Sequence, residues 1–395
     1  LRLATRGDLT LASGADLRLA GIDRPLGDTA VSTPGGRLQL ESATGAVRFA
    51  SGSRVDVSGA PGGADAGRVT VSAPAGTVDV QGTLSGTAAD DYRQGSFRVY
   101  AGDLTDLASL DDHLNRGGLT EGRSIRTARG DLVVGAADIV RARDLTLSAD
   151  GGSVTVQGVL DASGAGGGRV RLNARDDVTV AAGARIDARA LGAGAHGGRV
   201  VFATTRGVID VQAGSRIDVS GAGGGGRVDL RAPQVETTPG AGFDEAGVRA
   251  LAGTIVGADA VRLEAFRSYD GATLAPAQWT AWRSDAQAFS AFFPAIAARL
   301  GQDVNPAFRI VPGIEVDGAA DLTLAADWDL FPWRFAGAPG VLTLRAQGNL
   351  DLNASLSDGF VGTRPGAVFR DGASWSYRLV AGADPLAADP LALLL

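Results

Sequence analysis

The chain has 395 residues, of which 58 are glycine and none is cysteine, methionine or lysine, and its net charge of −7 is spread over interspersed Arg and Asp. These values exclude a disulfide framework, thiolate chemistry and a basic tract that could follow a phosphate backbone. No apolar run reaches the roughly 18–20 residues of a membrane-spanning helix. Glycine stands at twice the ~28 residues expected from an ordinary usage of roughly 7%, while proline is ordinary at 15, so the excess reads as tight turning in a folded chain. The 45% hydrophobic content is largely Ala and Val, with 6% aromatics, which suits a narrow, regular core.

Along the chain, the same phrases return. Asp8-Leu9-Thr10-Leu11 is echoed by Asp144-Leu145-Thr146-Leu147, Asp321-Leu322-Thr323-Leu324 and, varied, Asn349-Leu350-Asp351-Leu352. Ser53-Arg54-Val55-Asp56-Val57-Ser58-Gly59 recurs as Ser215-Arg216-Ile217-Asp218-Val219-Ser220-Gly221, with a relative at Ala184-Arg185-Ile186-Asp187-Ala188. A Gly-Arg-Val phrase opens strands at Gly67, Gly168, Gly198 and Gly226, the last three 30 and 28 residues apart. Each phrase alternates apolar and polar residues over four to six positions, the period of a strand with one buried face. Turns rich in Gly, Asp, Asn and Ser separate them. Sandwich strands have no reason to repeat in fixed order, whereas solenoid coils do. The reading is an all-β solenoid, a right-handed parallel β-helix of roughly 22–30 residues per coil, each coil adding about 4.8 Å.

Two stretches break the pattern and divide the chain. Coils are expected over 1–87, an irregular insertion with a short helix over 88–128, Gly-rich coils over 129–270, an amphipathic aromatic helix insertion over 271–306, and coils again over 307–395. In the first insertion Leu104, Leu107, Leu110 and Leu114 fall at helical spacing, with Gly117 as the cap. In the second, Trp279, Trp282, Ala286, Phe289, Phe293, Ile296 and Leu300 form one apolar stripe that Gly301 ends and Pro294 is placed to kink. Of 22 aromatic residues, 17 lie from Phe243 onward, including all five Trp. The stripe has two readings: a face packed on the coils, or an exposed glycan- or receptor-binding surface carried by Trp279, Trp282, Phe289 and Phe293. The opening LRLATRGD carries no initiator Met and no signal peptide, and the end runs into Leu391 to Leu395, so a piece of a longer protein is expected.

The segment 310–390 resembles the filamentous-haemagglutinin family of exoproteins. The resemblance rests on Ile314-Glu315-Val316, Asp321-Leu322-Thr323-Leu324-Ala325-Ala326-Asp327-Trp328-Asp329-Leu330, Pro339-Gly340-Val341-Leu342-Thr343-Leu344-Arg345-Ala346, Ser355-Leu356-Ser357-Asp358-Gly359-Phe360 and the run Ser374 to Asp384. The Gly-rich coils before it fit only generically. The resemblance implies a β-helical fibre exported by two-partner secretion through an outer-membrane β-barrel transporter, placed outside the cell or on the bacterial surface, and serving adhesion and virulence. The secretion domain that such a transporter recognises is not in these residues, and no toxin domain is recognised.

Candidate chemistry is sparse. Arg6-Gly7-Asp8 and Arg129-Gly130-Asp131 spell a triplet that some receptors read, yet Gly-Asp before an apolar strand is also the turn that opens a coil. Adjacent carboxylates at Asp90-Asp91, Asp111-Asp112 and Asp176-Asp177 raise the alternative of a β-helical polysaccharide lyase or hydrolase, whose carboxylates would sit about 5–9.5 Å apart on stacked coils. His113 and His196 are the only histidines, too few for a zinc site without cysteine. No catalytic, cofactor or metal residue is assigned, no cofactor is expected, and the expected function is a structural shaft rather than an enzyme. A host or bacterial surface glycan or receptor is the expected contact; nucleic acid is not.

Overall fold

The computed structural model describes residues 1–361, 366 and 368–394. Two compact units divide the chain: Leu1–Phe202 with Asp210–Val228 and Ala252–Asp259, and Ala203–Ile209 with Asp229–Leu251 and Ala260–Leu395. In both, short strands stack in parallel on their counterparts one winding later, and the fold is a parallel β-helix.

In the first unit the longest ladder runs through Arg2–Thr5, Arg37–Ser42, Arg68–Val80, Ser96–Leu104, Gly122–Thr127, Asp144–Ala149 and Arg169–Ala174. A second ladder stacks Leu132–Val134, Val154–Val156 and Val178–Val180. A third stacks Ile139–Arg141, Val159–Asp161, Arg185–Asp187, Arg216–Asp218 and Thr254–Val256. The register explains the repeated phrases. Leu145 pairs with Val170 and Leu147 with Leu172 on the inward face, while Thr146 and Arg171 share the outward face. All four inward residues are fully buried; each such aliphatic side chain contributes roughly 1.5–3 kcal/mol of burial.

Two recurrent devices turn the chain between ladders. Gly14, Gly52, Gly183 and Gly214 all hold φ of 84–86°, a conformation that a Cβ disfavours. Aspartates just before short strands reach the next winding: Asp8, ahead of Leu9–Leu11, accepts the Ala46 N–H on Oδ1 at 2.8 Å, and Asp131, ahead of Leu132–Val134, accepts the Ser153 N–H on Oδ1 at 2.8 Å. Helix α1 (Leu107–Arg116) lies between the coil strands Ser96–Leu104 and Gly122–Thr127. The Asp106 side chain caps it by accepting the Ser109 N–H at 3.0 Å. Leu104 closes the preceding strand instead of joining the helix, and Gly118, one past the expected cap, takes the left-handed conformation at φ 70°. Leu110 and Leu114 are the buried leucines of α1.

In the second unit the main ladder orders Ala258–Asp270, Phe308–Gly318, Val341–Ala346 and Ser376–Ala381. Beside it, Thr273–Leu274, Leu322–Leu324 and Leu350–Leu352 stack, as do Trp328–Asp329 and Leu356–Ser357. Asp321 repeats the device of Asp8 by accepting the Asn349 N–H at 2.7 Å. The aromatic stripe forms two helices, α2 (Pro276–Ser290) and α3 (Phe293–Arg299). Pro294 therefore does not kink one helix. It occupies the first turn of a second one, where its missing N–H has no intrahelical acceptor to lose.

Candidate functional site

The aromatic residues proposed as a binding surface face inward. Trp279 is 8% exposed, Trp282 5%, and Phe289 and Phe293 1% each. Trp279 stacks on Trp328 with centroids 4.9 Å apart, and Trp282 meets Trp328 at 5.9 Å and Tyr269 at 5.1 Å. Trp328 continues to Trp333 at 5.6 Å and Trp333 to Trp375 at 6.3 Å, so all five tryptophans belong to one packed cluster. The exposed-surface reading of Trp279, Trp282, Phe289 and Phe293 is thereby corrected: the stripe is spaced for packing, and these rings present no platform to a ligand.

Both Arg-Gly-Asp triplets are exposed turns. In each the Asp carboxylate already holds the following winding, through Ala46 for Asp8 and Ser153 for Asp131. Arg129 donates to the Ala75 carbonyl at 3.3 Å. The triplets thus sit where the coil needs an Asp. Asp90 and Asp91 lie exposed, with Asp91 in a left-handed turn at φ 69°. His113 Nδ1 lies 2.7 Å from the Ser109 carbonyl on its own helix, and no group of three or more metal-ligating side chains occurs among the described residues.

Carboxylates do converge at coil spacing, in a place the adjacent-Asp search passes over. Asp161, Asp187 and Asp218 stack directly in register. Their environment is that of turn closure. Asp161 Oδ1 accepts the backbone N–H and hydroxyl of Ser163 at 3.1 and 2.6 Å, and Asp218 Oδ1 those of Ser220 at 3.1 and 2.6 Å. Asp187 Oδ1 accepts the Arg189 N–H at 3.1 Å and its Nε–H at 2.8 Å. Burial would raise the Asp218 carboxyl, but hydrogen bonds from Ser220 and the charge of Arg216, 2.7 Å away, hold it below the usual carboxylate range. A glycosidic acid needs the opposite shift.

The second unit buries charge in its main ladder. Glu264, 2% exposed, receives both Nη groups of Arg378 at 2.7 Å and lies 3.3 Å from Arg231 Nε. Arg231 also binds Glu315 and lays its guanidinium over the Phe266 ring, 3.7 Å from the centroid. Arg345 contacts Asp317 at 3.2 Å and Glu315 at 3.8 Å, and donates to the Asp384 carbonyl at 2.8 Å. Arg262 pairs with Asp229 at 3.2 Å. Desolvation would raise Glu264, yet Arg378, Arg231 and Arg262 together pull it down to about 2. Asp317 goes the other way, to about 6, because burial and the charge of Glu315 outweigh Arg345 and Arg231. Carboxylates and guanidiniums match one for one along the network, which makes it a clasp between coils.

In the first unit a buried pair holds α1 against the coil. Asp111 and Arg123 meet at 3.0 Å with side chains 3% and 0% exposed. Arg123 occupies an inward rung, in register with Phe97 on one side and Leu145 on the other, and also donates to Asn115 Oδ1 at 3.0 Å. Burial drives the Asp111 carboxyl up to about 7 despite Arg123, with Asp138 and Asp112 adding repulsion. Beside it opens a cleft of about 540 Å³ between α1 and the segment from Ala137 to Arg141.

Sequence reasoning named Asp111 only as half of an adjacent pair and Glu315 only within a family-like phrase, and it did not single out Arg123, Arg231 or Glu264. The available signal was a charged residue in an otherwise apolar rung. No known protein family, no curated protein and no solved structure matches the chain.

Proposed function

We propose that this chain is a segment of the shaft of a secreted bacterial surface adhesin of the filamentous-haemagglutinin kind, exported through an outer-membrane β-barrel partner and working by stiffness and reach. The observation that supports this reading is the in-register stacking of windings, in which inward aliphatic rungs and outward Arg-Asp columns repeat with little variation. A solenoid of this kind is lengthened by adding windings, each of which buries its apolar face on its neighbours. The carboxylates that gather at coil spacing are consumed in turn closure or ion pairing, as expected of scaffolding. No helix among the described residues is long and apolar enough to cross a membrane.

The test is made on intact cells that produce the protein. Antibodies raised against this chain are expected to label the outer surface by immunogold, mild protease treatment of whole cells should remove the label, and deletion of the reading frame should lower attachment to surfaces or neighbouring cells. Label confined to the cell interior, or attachment unchanged by the deletion, would refute the reading.

A further inference from the structure

After the ladder strand Ser376–Ala381, one phrase occurs twice in tandem: Ala383-Asp384-Pro385-Leu386-Ala387 and Ala388-Asp389-Pro390-Leu391-Ala392. Both copies form the same turn. Asp384 Oδ1 accepts the Leu386 N–H at 3.0 Å, and the Asp384 carbonyl accepts the Ala387 N–H at 3.3 Å. Asp389 Oδ1 likewise accepts the Leu391 N–H at 2.9 Å, and the Asp389 carbonyl the Ala392 N–H at 3.0 Å. The copies differ in what else meets the carbonyl. Arg345 is buried and donates Nη2 to the Asp384 carbonyl at 2.8 Å, while its Nη1 faces Asp317 at 3.2 Å and Glu315 at 3.8 Å. Among the described residues no guanidinium meets the Asp389 carbonyl.

Two donors on one carbonyl oxygen, one of them a permanent positive charge in a buried place, stabilise the negative charge which that oxygen takes when its carbon is attacked. The attacking group belongs to the same residue. A side-chain carboxylate that closes on its own main-chain carbonyl forms a small cyclic anhydride, and the reaction gains from being intramolecular. The bond from Leu386 holds Oδ1 toward the peptide that joins Asp384 to Pro385. Proline makes that peptide a tertiary amide, whose nitrogen departs as a secondary amine. Pro385 is exposed to the water that must protonate it.

We propose that the bond between Asp384 and Pro385 cleaves itself, with Asp384 as nucleophile and Arg345 and the Ala387 N–H as the oxyanion donors. Asp384 Oδ1 bonds to its own carbonyl carbon, and the carbon–nitrogen bond to Pro385 breaks. One water gives a proton to the departing nitrogen, and the hydroxide left behind opens the anhydride to two carboxylates. The proton released in that opening goes to the prolyl amine, so the sum is hydrolysis of one peptide bond. The site is independent of the shaft reading: it stands on the turn and Arg345 alone. Its effect is to part the ladder from the segment that begins at Pro385.

The experiment incubates the whole purified chain for days in neutral buffer with protease inhibitors. Denaturing mass spectrometry follows it, because Ala383 and Leu393 bridge across the cut and would hold the pieces together. The products should end at Asp384 and begin at Pro385, together heavier than the chain by one water, with no cut after Asp389. Asp384→Asn keeps an oxygen for the Leu386 N–H, and so keeps the turn, but should abolish cleavage. Arg345→Gln should slow it tenfold or more with the tryptophan emission unchanged. Hydroxylamine added to the unmodified chain should be captured as a hydroxamate on Asp384. A chain that stays intact, one that is cut equally after Asp389, or a rate unchanged in Asp384→Asn or in Arg345→Gln would each overturn the proposal.

Discussion

Asp111 in the first unit and Glu264 in the second are equally hidden from solvent, at 2% exposure each, yet their protons respond in opposite directions. Glu264 is surrounded by Arg378, Arg231 and Arg262 and stays ionised down to about pH 2; Asp111 has one guanidinium and two repelling carboxylates and releases its proton only near 7. Burial imposes a similar desolvation cost on both, so the number of cations facing the group decides the outcome. The second unit sets three guanidiniums around Glu264, whereas the first sets one against Asp111.

The comparison breaks most visibly at the arginines. Arg231→Ala removes the cation shared by Glu264 and Glu315 and should cost about 3–5 kcal/mol in urea unfolding, the usual result of stranding one partner of a buried pair. Arg123→Met should cost less, about 1–3 kcal/mol, and less at pH 5 than at pH 8, because Asp111 can take up a proton once its partner is gone. If the two variants cost the same at both pH values, the distinction between the sites fails.

Proton linkage sharpens it further. Asp111 titrates near 7 folded and near 3.9 unfolded, so the folded state holds the extra proton between those values. Stability then falls as pH rises through that window, by roughly 1.4 kcal/mol per unit at its centre. Asp317, raised to about 6, adds a slope of the same sign. Glu264 acts oppositely: its contribution is present above about 4.3, the ordinary glutamate value, and is lost as pH falls toward 2. Unfolding midpoints of Asp111→Asn, measured from pH 5 to 8, should show a shallower decline than wild type, leaving the part due to Asp317. A variant whose profile overlays wild type would remove the Asp111 term. The smallest expected effect is at a turn: Asp131→Ala should cost about 1 kcal/mol by deleting the bond to the Ser153 N–H, with amide exchange near Ser153 as the local readout.

The coils were legible because their signal is periodic. Alternation at Leu145, Leu147, Val170 and Leu172 specifies an inward rung wherever it occurs, and repetition of the phrase specifies what it stacks on. The helix boundaries were harder, since Leu104 fits the helical spacing yet its segment is held by the ladder, and Pro294 is compatible with either a kink or a new first turn. Burial of the aromatic stripe depends on Trp328, Trp333 and Trp375, brought to it from distant windings. The charged rungs escaped for a related reason. Arg after Gly is outward at Arg68 and Arg169, so Gly122-Arg123 reads the same way, but the phase of that strand is shifted and Arg123 points in with Phe97 and Leu145. Glu264 and Glu315 sit beside apolar neighbours in their strands, and only the assembled ladder shows that they are buried.

The central claim, that windings lie in register one above another, is tested most directly by nitroxide labels on one outward column. Ser124, Thr146 and Arg171 occupy successive rungs of the same ladder, and the natural chain has no cysteine to interfere. With all three replaced by labelled cysteines, rungs about 4.8 Å apart should give a broad, exchange-narrowed electron paramagnetic resonance spectrum. Three sharp, non-interacting lines from the triply labelled folded protein would contradict parallel stacking.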